Sequence, residues 1–184
     1  MVQIVCSFAM TRFALSLLAV PVCLFSQDFS ADAPFFPTPV PIVERMLRLG
    51  GLKACEKMFD LGSGDGRIVI MAAQKFKADA AGVELDGHLC DLSLKEIHRR
   101  GLGKSARIVC GDLFTQDYSS ADLLTIYLFP GANDKLQPIL ERQLRKGTRI
   151  VAHDFEFQGW IPQKTELVEN DGTGKSHALY LYVR

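Results

Sequence analysis

The segment Asp60-Leu61-Gly62-Ser63-Gly64-Asp65-Gly66 restricts most strongly what this chain can fold into. Three glycines at alternate positions stand between an apolar run at 57–61 and a helix-patterned run that begins at Arg67. Glycine lets a backbone take left-handed conformations and lets a ligand come close without a Cβ in the way. A turn of this kind between a strand and a helix is the mouth of a βαβ unit, the building block of parallel sheets. The dinucleotide fingerprint G-x-G-x-x-G needs glycine at position 67, which is Arg67, so the loop departs from the pyrophosphate-binding pattern.

The rest of the chain repeats the alternation. Thr38-Pro39 predicts a helix start, with Thr38 as N-cap, apolar Ile42, Val43, Met46 and Leu47 on one face, and Gly50-Gly51 as the stop. Strands are predicted at 57–61, 80–84, 107–110, 123–128 and 148–152, and helices over 67–77, 88–100 and 135–144. Residues 166–168 and 178–183 read as a terminal hairpin around Asn170-Asp171-Gly172-Thr173-Gly174. The prediction is an α/β fold, a doubly wound, mostly parallel sheet ending in an antiparallel hairpin. Such sheets bind ligands beyond the carboxyl ends of their strands.

The fold is predicted to occupy residues 38–184, preceded by a leader at 1–26 and a polar, Pro-rich linker at 27–37. The leader carries one charge, Arg12, followed by an apolar stretch over 13–25 that is short for a bilayer span. It reads as a signal peptide or an uncleaved N-terminal membrane anchor. Membrane association through 1–26 is therefore expected, with the domain either facing the cytoplasm or exported. Its Leu-rich character also permits a buried first helix. Charge excludes one class of partner: 21 Lys+Arg balance 21 Asp+Glu, so the chain has no net basic field for nucleic acid. The five cysteines at 6, 23, 55, 90 and 110 contain no C-x-x-C pair, and they read as small buried apolar residues rather than a disulfide framework or zinc site.

The glycine loop resembles the D-x-G-x-G-x-G loop of S-adenosylmethionine-dependent methyltransferases, in which an amino-acid moiety takes the place of a pyrophosphate. Two further acids agree with that. Glu84 ends the second predicted strand, where a carboxylate can accept both ribose hydroxyls, and Asp112 ends the third, where one can accept from an adenine amino group. Asp60, Glu84 and Asp112 together would repel a pyrophosphate but suit a cationic sulfonium ligand. Expected cofactor contacts are Thr38, Asp60, Gly62, Ser63, Gly64, Asp65, Gly66, Glu84 and Asp112.

The likeness extends beyond that loop. Phe36-Pro37-Thr38-Pro39, Val43-Glu44-Arg45-Met46-Leu47, Asp60 to Ile68, Gly111-Asp112-Leu113-Phe114, Tyr127-Leu128-Phe129-Pro130, Lys146-Gly147-Thr148-Arg149, His153-Asp154-Phe155 and Tyr180-Leu181-Tyr182-Val183 resemble the small archaeal and mitochondrial protein-lysine methyltransferase family. The resemblance runs from about residue 35 to the end. It implies a Rossmann-like methyltransferase sheet, S-adenosyl-L-methionine as cofactor, and methyl transfer to lysine ε-amines of a protein substrate by direct displacement. On this reading Tyr127 and Phe129 line the acceptor pocket, and His153 and Asp154 orient or deprotonate the amine, with a structural hydrogen-bonded pair as the competing role. The absence of Asn-Pro-Pro-Tyr or Asp-Pro-Pro-Tyr after the fourth strand argues against base-amine methylation.

Other readings are a small-molecule methyltransferase, a dehydrogenase, or a membrane-tethered, non-catalytic adenosyl-binding module. Gly174-Lys175-Ser176 imitates the end of a phosphate loop, yet a strand follows it and Glu169 stands at the first glycine position. His88, His98, His153 and His177 show no H-E-x-x-H spacing, so no metal is expected.

Overall fold

A computed structural model describes residues 35–184. The predicted leader and residues 27–34 of the linker lie outside the described residues. Among the described residues, no helix is long and apolar enough to cross a membrane.

Seven strands form one sheet in the order β3-β2-β1-β4-β5-β7-β6. They are β1 (Lys57–Leu61), β2 (Asp79–Glu84), β3 (Ala106–Cys110), β4 (Leu123–Ile126), β5 (Arg149–His153), β6 (Lys164–Val168) and β7 (His177–Val183). The first five pair in parallel, and β7 runs antiparallel to both β5 and β6. From β1 the chain travels outward through β2 to β3, then returns to β4 on the other side of β1. That reversal puts a crevice at the carboxyl ends of β1 and β4, the place such sheets use for ligands.

Strand residues alternate between two cores. Met58, Ala80, Leu123 and Val151 pack with α1 (Val40–Leu49), α2 (Arg67–Lys75) and Ile97 of α3 (Gly87–Arg99). Their neighbours Phe59, Ala81, Leu124 and Ile150 pack on the opposite face with Leu136 and Leu140 of α4 (Pro130–Gln143), Tyr118 and Phe157. All four residues of β4 are buried, as a central strand covered on both faces requires.

Three expectations change. Thr38 does not cap α1: Pro39 is the N-cap residue, without a side-chain cap bond, and the Thr38 hydroxyl faces His153 Nδ1 at 3.3 Å. Helix α4 starts at Pro130 instead of near 135, because a proline in the first turn lacks an N–H that would have no partner there anyway. Finally, Cys90 of α3 and Cys110 at the end of β3 form a disulfide, with Cα atoms 5.8 Å apart, while Cys55 is exposed. They stand 20 residues apart in sequence, and only the α3–β3 crossover brings them together. Closing a loop of that length removes unfolded-state entropy worth about 3 kcal/mol at room temperature.

Candidate active site

The loop after β1 is built as a cradle. Gly62 and Ser63 donate their N–H groups to the Val83 carbonyl at 3.0 and 2.9 Å, which ties the turn to β2. Gly62, Gly64 and Gly66 all have positive φ, 77°, 54° and 76°. A Cβ on Gly64 would overlap the Phe35 ring, and one on Gly62 would stand 2.9 Å from Leu128 Cδ2. Asp65 pairs with Arg67, Nη2 to Oδ2 at 2.6 Å, and Arg67 Nη1 donates to the Thr38 carbonyl at 3.0 Å. Asp65 therefore holds Arg67, which holds the chain ahead of α1 against the loop.

Asp60 is 2% exposed, and Thr125 Oγ1 donates to its Oδ1 at 2.7 Å. Burial pushes its carboxyl up to about 7; Glu84 and Asp65 push the same way, and the Thr125 hydrogen bond opposes them. Glu84 is also buried, and its oxygens accept from the Gly64 and Asp86 N–H groups at 2.7 and 2.8 Å. One lone-pair direction remains on each oxygen beyond those bonds. Asp112 is exposed after β3 and accepts from the Phe114 N–H at 2.8 Å. Asp60, one residue before the end of β1, Glu84, the last residue of β2, and Asp112, two residues past β3, thus lie at the carboxyl ends of three adjacent strands.

The cradle fits a cationic adenosyl cofactor on two structural grounds. A buried carboxyl with no cationic side chain bonded to it, among the described residues, suits a positive group. Ser63 Oγ is buried without a hydrogen-bond partner among the described residues, next to glycines that leave the backbone open.

Beyond β4 and β5 the chain is aromatic. The Tyr127 ring lies 3.9 Å from that of His153, and Phe155 lies 6.2 Å from Tyr127 and 5.7 Å from Phe129. Phe129 is 48% exposed and Tyr127 is half-buried. Burial raises the Tyr127 hydroxyl above its ordinary range, assisted by the Asp154 charge and a hydrogen bond to Asp154. His153 is fully buried, and that burial lowers its imidazole to about 4; Asp154 opposes the shift, and His177 adds to it. The two ring nitrogens of His153 face Thr38 Oγ1 at 3.3 Å and His177 Nδ1 at 2.9 Å. Asp154 adopts a left-handed φ of 59°, uncommon for a residue with a Cβ.

Two neighbours were not foreseen: Phe35 covers Gly64, and Phe155 completes the aromatic wall. His177 and Asp171, which reach the same corner from β7 and its preceding turn, carry no local signal.

A Gly-rich cradle at the sheet's reversal point, with acids at the carboxyl ends of three adjacent strands, is the arrangement of an S-adenosylmethionine-dependent methyltransferase. Residues 60–164 match the ANTKMT methyltransferase domain, and the chain belongs to that family. It is 41% identical over 158 residues to a protein-lysine N-methyltransferase of Saccharolobus islandicus (strain REY15A), covering 85% of this chain and 97% of that protein. A human lysine N-methyltransferase named for the ATP synthase is 34% identical over 131 residues, covering 70% of this chain and 54% of that protein. The chain thus spans about half the length of that human relative. In structure it is similar to an RNA methyltransferase from Salinibacter ruber solved with S-adenosyl-L-homocysteine, with TM-score 0.74 and 40% identity over 80% of this chain and 93% of that one.

Proposed function

We propose that the acceptor is the ε-amine of a lysine in a protein substrate, methylated by direct displacement. The observation that carries this reading is the wall of Tyr127, Phe129 and Phe155 beside the cofactor cradle. Leu128 packs on Gly62, so acceptor wall and cradle share an edge. Aromatic faces favour an alkylated ammonium through their quadrupoles, and a half-exposed wall admits a long side chain. The lysine methyltransferases named above support the same acceptor.

S-adenosylmethionine, when bound, supplies a methyl group made electrophilic by its sulfonium. Asp60, the 62–66 backbone and Glu84 bind and orient the donor. Tyr127, Phe129 and Phe155 exclude water and hold the amine in line, so positioning provides most of the rate. Asp154 stands beside the Tyr127 hydroxyl and orients that ring at the wall, while solvent at the half-exposed mouth takes the proton that the amine must lose.

The test is transfer of labelled methyl to fractionated lysate, followed by amino-acid analysis. Label in methyl-lysine is expected; label confined to RNA or small molecules overturns the reading. The Salinibacter ruber relative makes RNA the second acceptor class to assay. The apolar stretch at 13–25 supports, from sequence alone, a placement at a membrane, which carbonate extraction of the expressed full chain tests.

A further inference from the structure

We propose that His153, His177 and Asp154 form a binding site for one divalent transition-metal ion, with Zn2+ as its natural occupant. His153 Nε2, His177 Nδ1 and Asp154 Oδ2 make a closed triangle with edges of 2.9, 3.0 and 3.4 Å. A proton satisfies one edge of such a triangle. With one N–H present, at least two lone pairs still face each other; with two, hydrogens meet across the 2.9 Å edge between nitrogens. A cation satisfies all three edges at once. Ligand bonds of about 2.0–2.2 Å in tetrahedral or octahedral arrangement place ligand atoms about 2.8–3.5 Å apart. The observed edges fall within that range.

The surroundings are those of a metal centre. His177 Nε2 faces Asp171 Oδ2 at 3.4 Å, and His153 Nδ1 faces Thr38 Oγ1 at 3.3 Å, so each ring has its remote nitrogen held. Asp154 Oδ1 accepts from the Ala178 N–H at 2.9 Å, which leaves Oδ2 aimed at the histidines. Asp171 is itself buried and fixed by Thr173 and Lys175 N–H groups at 2.7 and 3.2 Å. Such outer partners fix ring orientation and raise ligand basicity. Asp154 and Asp171 together balance the charge of a divalent ion. The left-handed backbone of Asp154 brings its carboxylate to this corner, a strained conformation of the sort that functional sites retain. Two imidazoles and one carboxylate suit the borderline ions of the first row, and three protein ligands leave a position for water. Neighbouring residues in sequence reveal none of this, because the ligands come from the end of β5 and the start of β7, 24 residues apart.

Bound there, the ion pins β7 to β5 directly behind the Tyr127 ring. The test uses the full chain without a histidine tag, stripped by chelator, and needs neither cofactor nor acceptor, so it stands apart from the lysine reading. Titration with Co2+ is expected to give a visible ligand-field band that saturates at about one equivalent and is displaced by Zn2+. Zn2+ alone is expected to raise Tm by several degrees. His177→Ala and Asp154→Asn are expected to abolish both signals, while His88→Ala on α3 retains them. If His177→Ala does not fold, Asp171→Asn serves in its place and is expected to weaken Co2+ binding about 10–100-fold. Absence of a saturable band in the wild type overturns the site, as does a band that survives His177→Ala and Asp154→Asn.

Discussion

Removing the charge of Asp60 separates an electrostatic cradle from a merely shaped one. The carboxyl stands at about 7 because it is buried beside two other acids, and a cationic ligand at that position pulls it back towards the ordinary range of 3.8 or below. Ligand binding must then expel a proton whenever Asp60 is protonated beforehand. The apparent Kd scales as one plus the ratio of protonated to ionised Asp60, so it rises about eightfold between pH 7.5 and pH 6.0 and about 25-fold by pH 5.5. The sign follows from the free protein holding the extra proton: affinity is full well above 7, about half of that at 7, and falls further as the solution is acidified. Titration calorimetry in buffers of different ionisation enthalpy also counts the proton, about 0.8 released per ligand at pH 6.5. Asp60→Asn removes this component of the slope and weakens binding at pH 7.5 by about tenfold or more. Comparing wild type with the variant cancels the ligand's own amine. A wild-type Kd flat within twofold over this range, or an Asn variant with the same slope, would exclude Asp60 as the charge that receives the ligand.

Other outcomes follow from single features. Reducing the Cys90–Cys110 disulfide is expected to lower Tm by about 6–12 °C, read by calorimetry with and without reductant, and Cys90→Ser should abolish the difference. Gly64→Ala meets the Phe35 ring with a strained φ of 54°; a cost of about 1–2 kcal/mol predicts a Tm lower by about 2–8 °C, read by calorimetry. Arg67→Ala releases the Thr38 carbonyl from a partly exposed pair, so Tm should move by little while cofactor KM rises severalfold. Tyr127→Ala should reduce kcat for the lysine acceptor more than tenfold with cofactor affinity unchanged, which paired kinetics and calorimetry resolve.

The parts legible in the sequence are those governed by local chemistry. Asp60 to Gly66 announced itself because three positive φ values within five residues come at little cost only with glycines. Glu84 and Asp112 were legible because acids terminate apolar strands there. The burial of Ile42, Val43, Met46 and Leu47 followed from helical spacing alone. What escaped depends on contacts between distant elements. Thr38 looked like a cap by its position before Pro39, yet its hydroxyl is directed to His153, 115 residues away. Cys90 and Cys110 meet through a crossover that no cysteine spacing encodes. Asn133 lies ahead of the helix expected over 135–144, but it is buried inside α4, and its side-chain amide donates to the Phe155 carbonyl at 3.3 Å.

The antiparallel course of β7 has a practical corollary. That strand begins beside His153 and ends with Val183 opposite Arg149, at the amino ends of the parallel strands. The last residue, Arg184, bonds there to Gly147 and Thr148, a full strand length from Asp60. Phe35, by contrast, rests on the cradle itself. A fluorophore, affinity handle or solid support attached after Arg184 therefore leaves donor and acceptor entrances open. Cargo joined immediately ahead of Phe35 is delivered to those entrances, where it competes with or recruits the substrate.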